Sequence, residues 1–208
     1  MKYRLAIFDF DGTLADTLPW MRSIFNDLAD AHDFRRVEPQ EDERFRDLHG
    51  RALLRELRLP LWKLPRVVRD MRRRMAAHHE NFSLFPGISD ALHRLFSNEV
   101  QLAIVSSNSR DNVERVLGAD TAKFIAHFGC GVSMFGKADN LRQAIRHCSV
   151  QRREAIYIGD EIRDAEAAAK AGIAFGAVTW GHHTLDALRE RNPAEIFAMV
   201  NEIAVKLC

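Results

Sequence analysis

Five short apolar runs divide the chain and predict five β-strands. Most of the runs are continuous rather than alternating, which is typical of strands buried on both faces of a parallel sheet, although glycines interrupt the third. The runs are Leu5 to Phe10, Leu102 to Val105, Phe124 to Val132, Ala155 to Ile158 and Ala174 to Trp180.

Helical patterns lie between the later runs. They cover Asn112 to Leu117, Asn140 to His147 and Asp164 to Ala171, and Gly118 and Gly172 stand where C-terminal stops are expected. The alternation of strand and helix predicts an α/β fold, a three-layer, doubly wound parallel sheet. A last helix is predicted over Ala194 to Leu207.

The segment 16–85 breaks this alternation, because it carries no convincing strand and reads as one helix after another. It predicts an inserted helical cap domain, with the α/β core formed by residues 1–15 and 86–208. The turn Phe85-Pro86-Gly87 marks the return to the core before a helix over Ile88 to Phe96. Six basic residues of the cap are interpreted as a solvated helix face: Lys63, Arg66, Arg69, Arg72, Arg73 and Arg74.

Composition narrows the class of protein. The 208 residues are 47% hydrophobic, enough for one α/β core with a smaller appended domain. A net charge of +1 offers no long-range field for nucleic acid or an anionic membrane, so neither is expected as a partner. Cys130, Cys148 and Cys208 are odd in number and lack C-x-x-C spacing, which argues against disulfides and zinc and favours a reducing cytoplasm. The N-terminal apolar run is too short for a signal or membrane segment.

Acidic residues follow two of the predicted strands. Asp9 and Asp11 leave the first strand two positions apart, so both carboxylates point from one face if the extended geometry persists. Asp160, Glu161 and Asp164 follow the strand Ala155 to Ile158. Such carboxylates suit a hard cation such as Mg²⁺. Taken singly, each group could also be an Asx turn or a helix cap.

Hydroxyl, amide and ammonium groups follow the strands between these two. Ser106, Ser107 and Asn108 end the second strand and could hydrogen-bond a phosphoryl oxygen, and Gly12 and Thr13 permit close backbone approach to an anion. Lys137 precedes a helix and could hold a phosphate. The stretch from Gly131 to Lys137 has most of the P-loop spacing, but Ala138 stands where the magnesium-binding Ser or Thr is required.

In this order the motifs resemble the haloacid dehalogenase-like (HAD) hydrolases, and within them the phosphoglycolate phosphatase-like branch with a helical cap after the first strand. The resemblance covers nearly the whole chain. It includes Ile7-Phe8-Asp9-Phe10-Asp11-Gly12-Thr13-Leu14-Ala15-Asp16-Thr17, Phe85-Pro86-Gly87, Ser106, Lys137, Gly159-Asp160 and Val178-Thr179-Trp180-Gly181.

The resemblance implies a Mg²⁺-dependent phosphatase acting on a small phosphorylated metabolite. Asp9 would be the nucleophile that forms an aspartyl-phosphate, and Asp11 the general acid and then base, while Ser106 and Lys137 grip the phosphoryl group. Mg²⁺ would be held by Asp9, by the backbone carbonyl of Asp11 and by Asp160, with Asp164 or Glu161 directly or through water.

Further expectations concern substrate binding. Gly12, Thr13, Ser107 and Asn108 are expected near the phosphate. The cap stretch Arg46-Asp47-Leu48-His49-Gly50-Arg51 resembles the family's specificity loop, which makes His49 and Arg51 candidates for substrate selection. The pairs His78-His79 and His182-His183 lack zinc-site spacing and are interpreted as surface or packing residues.

Several alternatives stay open from the sequence. A sugar-phosphate mutase would share every core residue, and a non-catalytic binding module would need none of them. Dehalogenation is disfavoured, because the dehalogenases of the family lack an aspartate at the position of Asp11. Phosphonate cleavage, which uses a cap lysine as a Schiff base, is also disfavoured, because Lys63 is the only lysine in this cap. The substrate is left open, and the chain is expected to be a monomer or a homodimer.

Overall fold

The computed structural model describes residues 2–46, 48, 50–78, 82–132 and 136–208, without the side chains of residues 42 and 43. The described residues form one sheet of six parallel strands, in the spatial order β3-β2-β1-β4-β5-β6. The strands are β1 (Leu5–Phe8), β2 (Gln101–Val105), β3 (Ile125–Gly129), β4 (Ala155–Gly159), β5 (Ala174–Val178) and β6 (Glu195–Phe197).

Ten α-helices accompany the sheet within the described residues, together with short 3-10 turns at Pro39–Glu41 and Arg152–Glu154. The helices are α1 (Leu18–His32), α2 (Asp42–Arg46), α3 (Gly50–Glu56), α4 (Leu64–Ala77), α5 (Ile88–Ser97), α6 (Arg110–Ala122), α7 (Lys137–His147), α8 (Ile162–Ala171), α9 (Leu185–Arg189) and α10 (Asn201–Leu207).

Both faces of the sheet are covered by helices. Along β1, Ala6 and Phe8 belong to one buried hydrophobic cluster, which also contains residues of α5 and α10. Leu5 and Ile7 belong to a second cluster, which contains residues of α7 and α8. Successive side chains of a strand point to opposite faces, so a strand buried on both faces needs an unbroken apolar run. The predicted doubly wound α/β class is confirmed.

The end of the chain differs from the prediction, because the helix expected over Ala194 to Leu207 is wrong in its first half. Glu195–Phe197 is the sheet's sixth strand and pairs with β5, and α10 begins only at Asn201. Ala194 N–H donates to the carbonyl oxygen of Phe175 at 2.8 Å and thereby begins the pairing. A strand of three residues has no readable period of its own, and its partner lies about twenty residues away in sequence.

Two glycines predicted as helix stops behave differently. Gly172 ends α8 with φ of 75°, as expected of a left-handed C-terminal residue. Gly118, with φ of 71°, interrupts α6, which resumes and continues to Ala122. Helix α6 also begins earlier than predicted, because the Ser109 hydroxyl accepts a hydrogen bond from Asn112 N–H at 3.3 Å.

The segment 16–85 carries α1 to α4 and a small hydrophobic cluster of its own, formed by Phe45, Leu54, Leu57, Leu59 and Val67. Its two connections to the sheet run side by side. Asp16 N–H donates to Ser83 O at 2.9 Å, and Phe85 N–H donates to Leu14 O at 2.9 Å. These contacts support a boundary near 16 and 85, and the two-domain division stays a prediction.

Neither disulfides nor membrane spans are found in the described residues. All three cysteines are free thiols. Among the helices described above, none has the length and apolar character needed to cross a bilayer.

The short strand β6 can be tested through Phe197, whose side chain is fully buried against the sheet. We expect Phe197→Ala to lower the free energy of unfolding by about 3–5 kcal/mol, because it leaves a cavity. Met199→Ala, at a side chain that is 58% exposed two residues later, should change it by less than about 0.5 kcal/mol. Urea unfolding measures both, and equal losses would contradict the buried position of Phe197.

Candidate active site

The carboxyl ends of the three central strands bring the predicted groups to one edge of the sheet. Asp9 follows β1 directly, Ser106 follows β2 and Asp160 follows β4, and all three side chains are buried. Because these strands are parallel neighbours, their ends meet at the crevice where open α/β sheets bind ligands. Lys137, the first residue of α7, joins them there.

Lys137 connects two carboxylates from different parts of the chain. Its Nζ lies 2.7 Å from Asp9 Oδ2 and 2.5 Å from Asp164 Oδ1, and its side chain is only 3% exposed. Burial by itself lowers the pKa of Lys137, but the carboxylates of Asp164 and Asp9 outweigh it and raise that pKa above its ordinary value. The ammonium therefore stays charged.

Tyr157 supports this ion-pair cluster from within β4. Its hydroxyl lies 3.0 Å from the carbonyl oxygen of Val105 and 3.2 Å from Asp164 Oδ1. The Lys137 ammonium lies 5.7 Å from the centroid of the phenol ring. Burial, followed by the charge of Asp164, raises the pKa of Tyr157 well above its usual range, so the hydroxyl keeps its proton and can donate it.

Asp160 is held by hydrogen bonds to both oxygens. The Thr13 hydroxyl donates to Oδ1 at 2.7 Å, and the backbone N–H of His182 donates to Oδ2 at 2.8 Å. His183 N–H donates to the Asp160 carbonyl oxygen at 3.2 Å. The turn after β1 and the loop after β5 thus orient a residue that follows β4.

Two glycines make room for the Asp160 side chain. A Cβ built on Gly12 or on Gly181 would overlap the Asp160 carboxyl group. Gly12 also has φ of 76°, a conformation that other residues adopt at a cost. Gly12 is therefore required in the opening motif for two reasons, the turn itself and the close packing against Asp160.

The acidic residues at the start of α8 take different roles. Asp164 is fully buried, and its Oδ2 accepts a hydrogen bond from Glu161 N–H at 3.0 Å, which caps the helix. Burial raises the pKa of Asp164 to about 6, against the opposing effect of Lys137. Glu161 instead forms an ion pair with Arg163. Although burial raises the Glu161 pKa, Arg163 and Lys137 lower it to about 2.

Asp11 lies at the side of the site nearest the cap. Its Oδ1 accepts a hydrogen bond from Asn108 Nδ2 at 3.1 Å. Burial and then the neighbouring Asp9 raise the pKa of Asp11 to about 6. A half-buried carboxyl group of this kind can both donate and accept a proton near neutral pH.

The predicted phosphate-binding residues lie in two places, after β2 and in the turn after β1. Ser106 Oγ accepts a hydrogen bond from Asn108 N–H at 3.1 Å, and Ser107 is half-buried beside it. The N–H groups of Gly12 and Thr13 donate within the turn, to the carbonyl oxygens of Ala15 at 2.9 Å and Phe10 at 3.3 Å. Gly12 and Thr13 therefore shape the turn and orient Asp160, and their direct contact with substrate stays a prediction.

Of the two cap residues predicted to select substrate, the structure describes only Arg51. Arg51 is exposed on α3, where it lines a surface hollow with Leu54 and Leu61. No hydrogen bond or ion pair links it to the site within the part of the chain that the structure describes. His49 lies outside the described residues.

The residues present fit a divalent cation. Asp9, Asp160 and Asp164 are buried, and one oxygen from each can be chosen so that all three lie within 4.8 Å of one another. If all three carboxylates are ionised, the Lys137 ammonium balances only one of their three negative charges. Burial, followed by the charge of Glu161, raises the pKa of Asp160 well above its ordinary range, so its ionised form needs a cation nearby. Oxygen donors of this type suit Mg²⁺.

Comparison with known proteins agrees with this geometry. The model of the haloacid dehalogenase-like hydrolase family matches residues 6–178. The chain belongs to this family. A phosphoglycolate phosphatase from Synechococcus elongatus is 33% identical over 183 residues, which cover 88% of this chain and 86% of that protein. The pyrophosphatase PpaX from Oceanobacillus iheyensis is 22% identical and covers 98% of this chain and 96% of its own length.

Solved structures show the same fold. A haloacid dehalogenase-like family hydrolase from Streptococcus pneumoniae superposes with a TM-score of 0.81 at 22% identity, over 100% of this chain and 99% of that one. The predicted HAD family and fold are therefore confirmed. The predicted enzyme class, an HAD-like phosphatase, is likewise supported by the family match and by relatives named as phosphatases.

Sequence reasoning missed contacts that four residues make at the site of this HAD-like hydrolase: Tyr157, His182, His183 and Arg46. Tyr157 lies in a strand that the sequence predicts from its apolar residues alone. The signal for its role is that a buried tyrosine hydroxyl needs a hydrogen-bond partner. The His182 and His183 contacts use backbone N–H groups, which side-chain chemistry cannot reveal. Arg46 of α2 donates through Nε to His182 O at 2.7 Å and through Nη2 to Gly181 O at 3.2 Å, so the cap contacts the loop that holds Asp160.

The buried ion pairs of Lys137 can be tested by removing its charge. Lys137→Met leaves Asp9 and Asp164 buried without their cation, so we expect the free energy of unfolding to fall by about 3–5 kcal/mol in metal-free buffer. Lys123→Met is a matched control, because its ammonium is 60% exposed and pairs with a fully exposed Asp120 at 3.5 Å. Urea unfolding at pH 7 compares them. Similar stability of the two variants would mean that Lys137 does not compensate the carboxylates.

Proposed function

We propose that the chain is a Mg²⁺-dependent phosphomonoester hydrolase that acts on a small phosphorylated metabolite through an aspartyl-phosphate at Asp9. The observation that carries the proposal is the buried group of Asp9, Asp160 and Asp164 at the carboxyl edge of the sheet, two of which pair with the Lys137 ammonium. The family match and the names of the relatives support it.

The reaction is written as two displacements. A carboxylate oxygen of Asp9 attacks phosphorus, the bond from phosphorus to the ester oxygen breaks, and Asp11 gives its proton to the departing alkoxide. Water then attacks the phosphorus of the aspartyl-phosphate, Asp11 takes the proton of that water, and the bond between phosphorus and Asp9 breaks to release phosphate. The hydrogen bond from Asn108 holds Asp11 in place for both transfers.

Lys137 binds the transferring group as well as the nucleophile. An ammonium has three N–H donors, and Asp9 and Asp164 accept two of them. The third is proposed to donate to a phosphoryl oxygen, and the Ser106 hydroxyl to donate to another. These contacts would offset charge repulsion between an anionic nucleophile and an anionic ester.

The residues that would hold Mg²⁺ are Asp9, Asp160 and Asp164, with the backbone carbonyl of Asp11 as a further ligand. A bound Mg²⁺ would supply electrostatic stabilisation of the phosphoryl oxygens and fix their alignment with Asp9. Glu161 faces Arg163, so its contribution would pass through water. Thr13 and His182 N–H keep the Asp160 oxygens in a fixed orientation.

The proposed substrate is a phosphoglycolate-like monoester, on the strength of the 33% identical relative named phosphoglycolate phosphatase. A cytoplasmic location, and a monomer or homodimer as the working form, stay predictions.

The nucleophile can be tested by Asp9→Asn. We expect no phosphate release above background from phosphoglycolate with Mg²⁺, and no acid-stable ³²P label on the quenched protein, because an amide does not displace the ester oxygen. Asp120→Asn, at a fully exposed carboxylate, is the control and should keep normal turnover. Near-normal release by Asp9→Asn would exclude Asp9 as nucleophile. A separate assay gives the wild type a ³²P-labelled sugar phosphate. Movement of the label to a second hydroxyl of that sugar, without phosphate release, would favour the mutase alternative.

The metal site can be tested by Thr13→Val, which removes the hydroxyl that donates to Asp160 with little change of volume. We expect the Mg²⁺ concentration for half-maximal activity to rise about 10- to 100-fold. The increase in thermal unfolding midpoint on adding Mg²⁺ should shrink correspondingly. Thr121→Val, a buried threonine that contacts Ser89 instead, serves as control. Full activity of the wild type after dialysis against EDTA would rule out the metal requirement itself.

A further inference from the structure

One arginine of the cap reaches the active-site side of the molecule without an acidic partner. Arg72 lies on α4 and is half-buried, and its Nη2 donates to the carbonyl oxygen of Val132 at 3.3 Å. Its Nε is buried and has no hydrogen-bond acceptor among the described residues. A guanidinium carries five N–H donors, so most of its capacity is left for another group.

The neighbouring arginines of α4 are either paired with an acidic residue or exposed to solvent. Arg73 and Arg74 both form ion pairs with Asp70, at 2.7 and 3.3 Å. Arg69 is exposed to solvent. The interpretation of this basic stretch as a solvated face therefore holds for Arg69 and Arg73 and is wrong for Arg72.

The helix face that carries Arg72 contacts Asn108, the hydrogen-bond partner of the predicted general acid Asp11. Met75, three residues later and on the same face, has its Sδ 3.7 Å from Asn108 Nδ2. The same amide nitrogen donates to Asp11 Oδ1. Burial lowers the pKa of Arg72, and Asp11 is the charged group that raises it. Val132, which accepts the hydrogen bond from Arg72, donates its own N–H to the carbonyl oxygen of Ser106 at 3.2 Å. The half-buried guanidinium therefore lies near a residue of the candidate site.

A charge in this position is costly unless a partner arrives with the substrate. A half-buried guanidinium loses hydration, and the carbonyl of Val132 returns only one hydrogen bond. The planar guanidinium binds a carboxylate through two parallel hydrogen bonds, which a backbone carbonyl cannot offer. Its single positive charge matches one carboxylate, whereas a second phosphoryl group carries nearly two negative charges and would lie close to Asp11.

We infer that Arg72 is a specificity-determining residue that binds a carboxylate of the substrate, so that the preferred substrates are small phosphomonoesters of hydroxy acids. This inference rests on the proposed function. It assigns substrate selection to the helix α4, in place of the exposed Arg51.

The test compares two substrates that differ in the carboxylate. Phosphoglycolate and ethyl phosphate share the reacting phosphate and a two-carbon chain, and their kcat/KM values are measured with Mg²⁺ for wild type, Arg72→Met, Arg72→Lys and Arg69→Met. We expect wild type to prefer phosphoglycolate, and Arg72→Met to reduce that preference about 10- to 100-fold. Arg72→Lys should restore part of it, because the charge returns without the bidentate geometry. Arg69→Met removes the same charge one turn away and should keep the wild-type preference.

Each outcome separates this inference from the proposed function. Similar kcat/KM values of the wild type for both esters would overturn the role of Arg72 and leave the phosphatase proposal intact. An unchanged preference in Arg72→Met, with a normal thermal midpoint, would do the same. Phosphate release from neither ester would count against the proposed function. If neither ester is hydrolysed, the inference is tested by calorimetric titration of the wild type and Arg72→Met with phosphoglycolate. Weaker binding by Arg72→Met would support the role of Arg72, and equal affinities would overturn it.

Discussion

The structure depends on one buried electrostatic arrangement, the Lys137 ammonium between the carboxylates of Asp9 and Asp164. These groups come from three places far apart in the chain, and each would be unfavourable in the interior alone. The Tyr157 hydroxyl donates a hydrogen bond to Asp164. Asp160 is oriented by the Thr13 hydroxyl and by the loop at Gly181, which packs against it. The result is a buried group of three carboxylates with a fixed geometry, which suits binding of a divalent cation.

Residues of the cap contact the groups that hold this arrangement in place. Arg46 contacts the carbonyls of Gly181 and His182, whose loop holds Asp160, and Met75 contacts the amide that positions Asp11. Arg72 donates to the carbonyl oxygen of Val132, whose N–H donates to the carbonyl oxygen of Ser106. Under the proposed function, the core would supply the groups for phosphomonoester chemistry, and the cap would supply the groups that distinguish one ester from another.

Much of the fold and site followed from local patterns. Apolar runs located five strands, most of them continuous because a strand buried on both faces needs no polar positions. The acidic residues that follow two of these strands lie at one edge of the sheet, as predicted. Three-residue β6 was missed, since its formation depends on pairing with β5 rather than on its own sequence. The solvated face assigned to the basic stretch was wrong for Arg72, because exposure depends on what packs against a helix. Roles for Asp9, Asp11, Ser106 and Lys137 stay predictions.

The sequence by itself determined the α/β class, the family and the residues that gather at the carboxyl edge, because parallel strands bring their ends together whatever the details of packing. Only the tertiary structure decided how these residues are paired. It paired Asp164 with Lys137 and Glu161 with Arg163, and it brought the Thr13 hydroxyl to Asp160. It also placed Arg72 against Val132 and left Arg51 exposed. Such choices depend on distances between residues far apart in the chain, and those distances are set by the packing of helices and loops around the sheet.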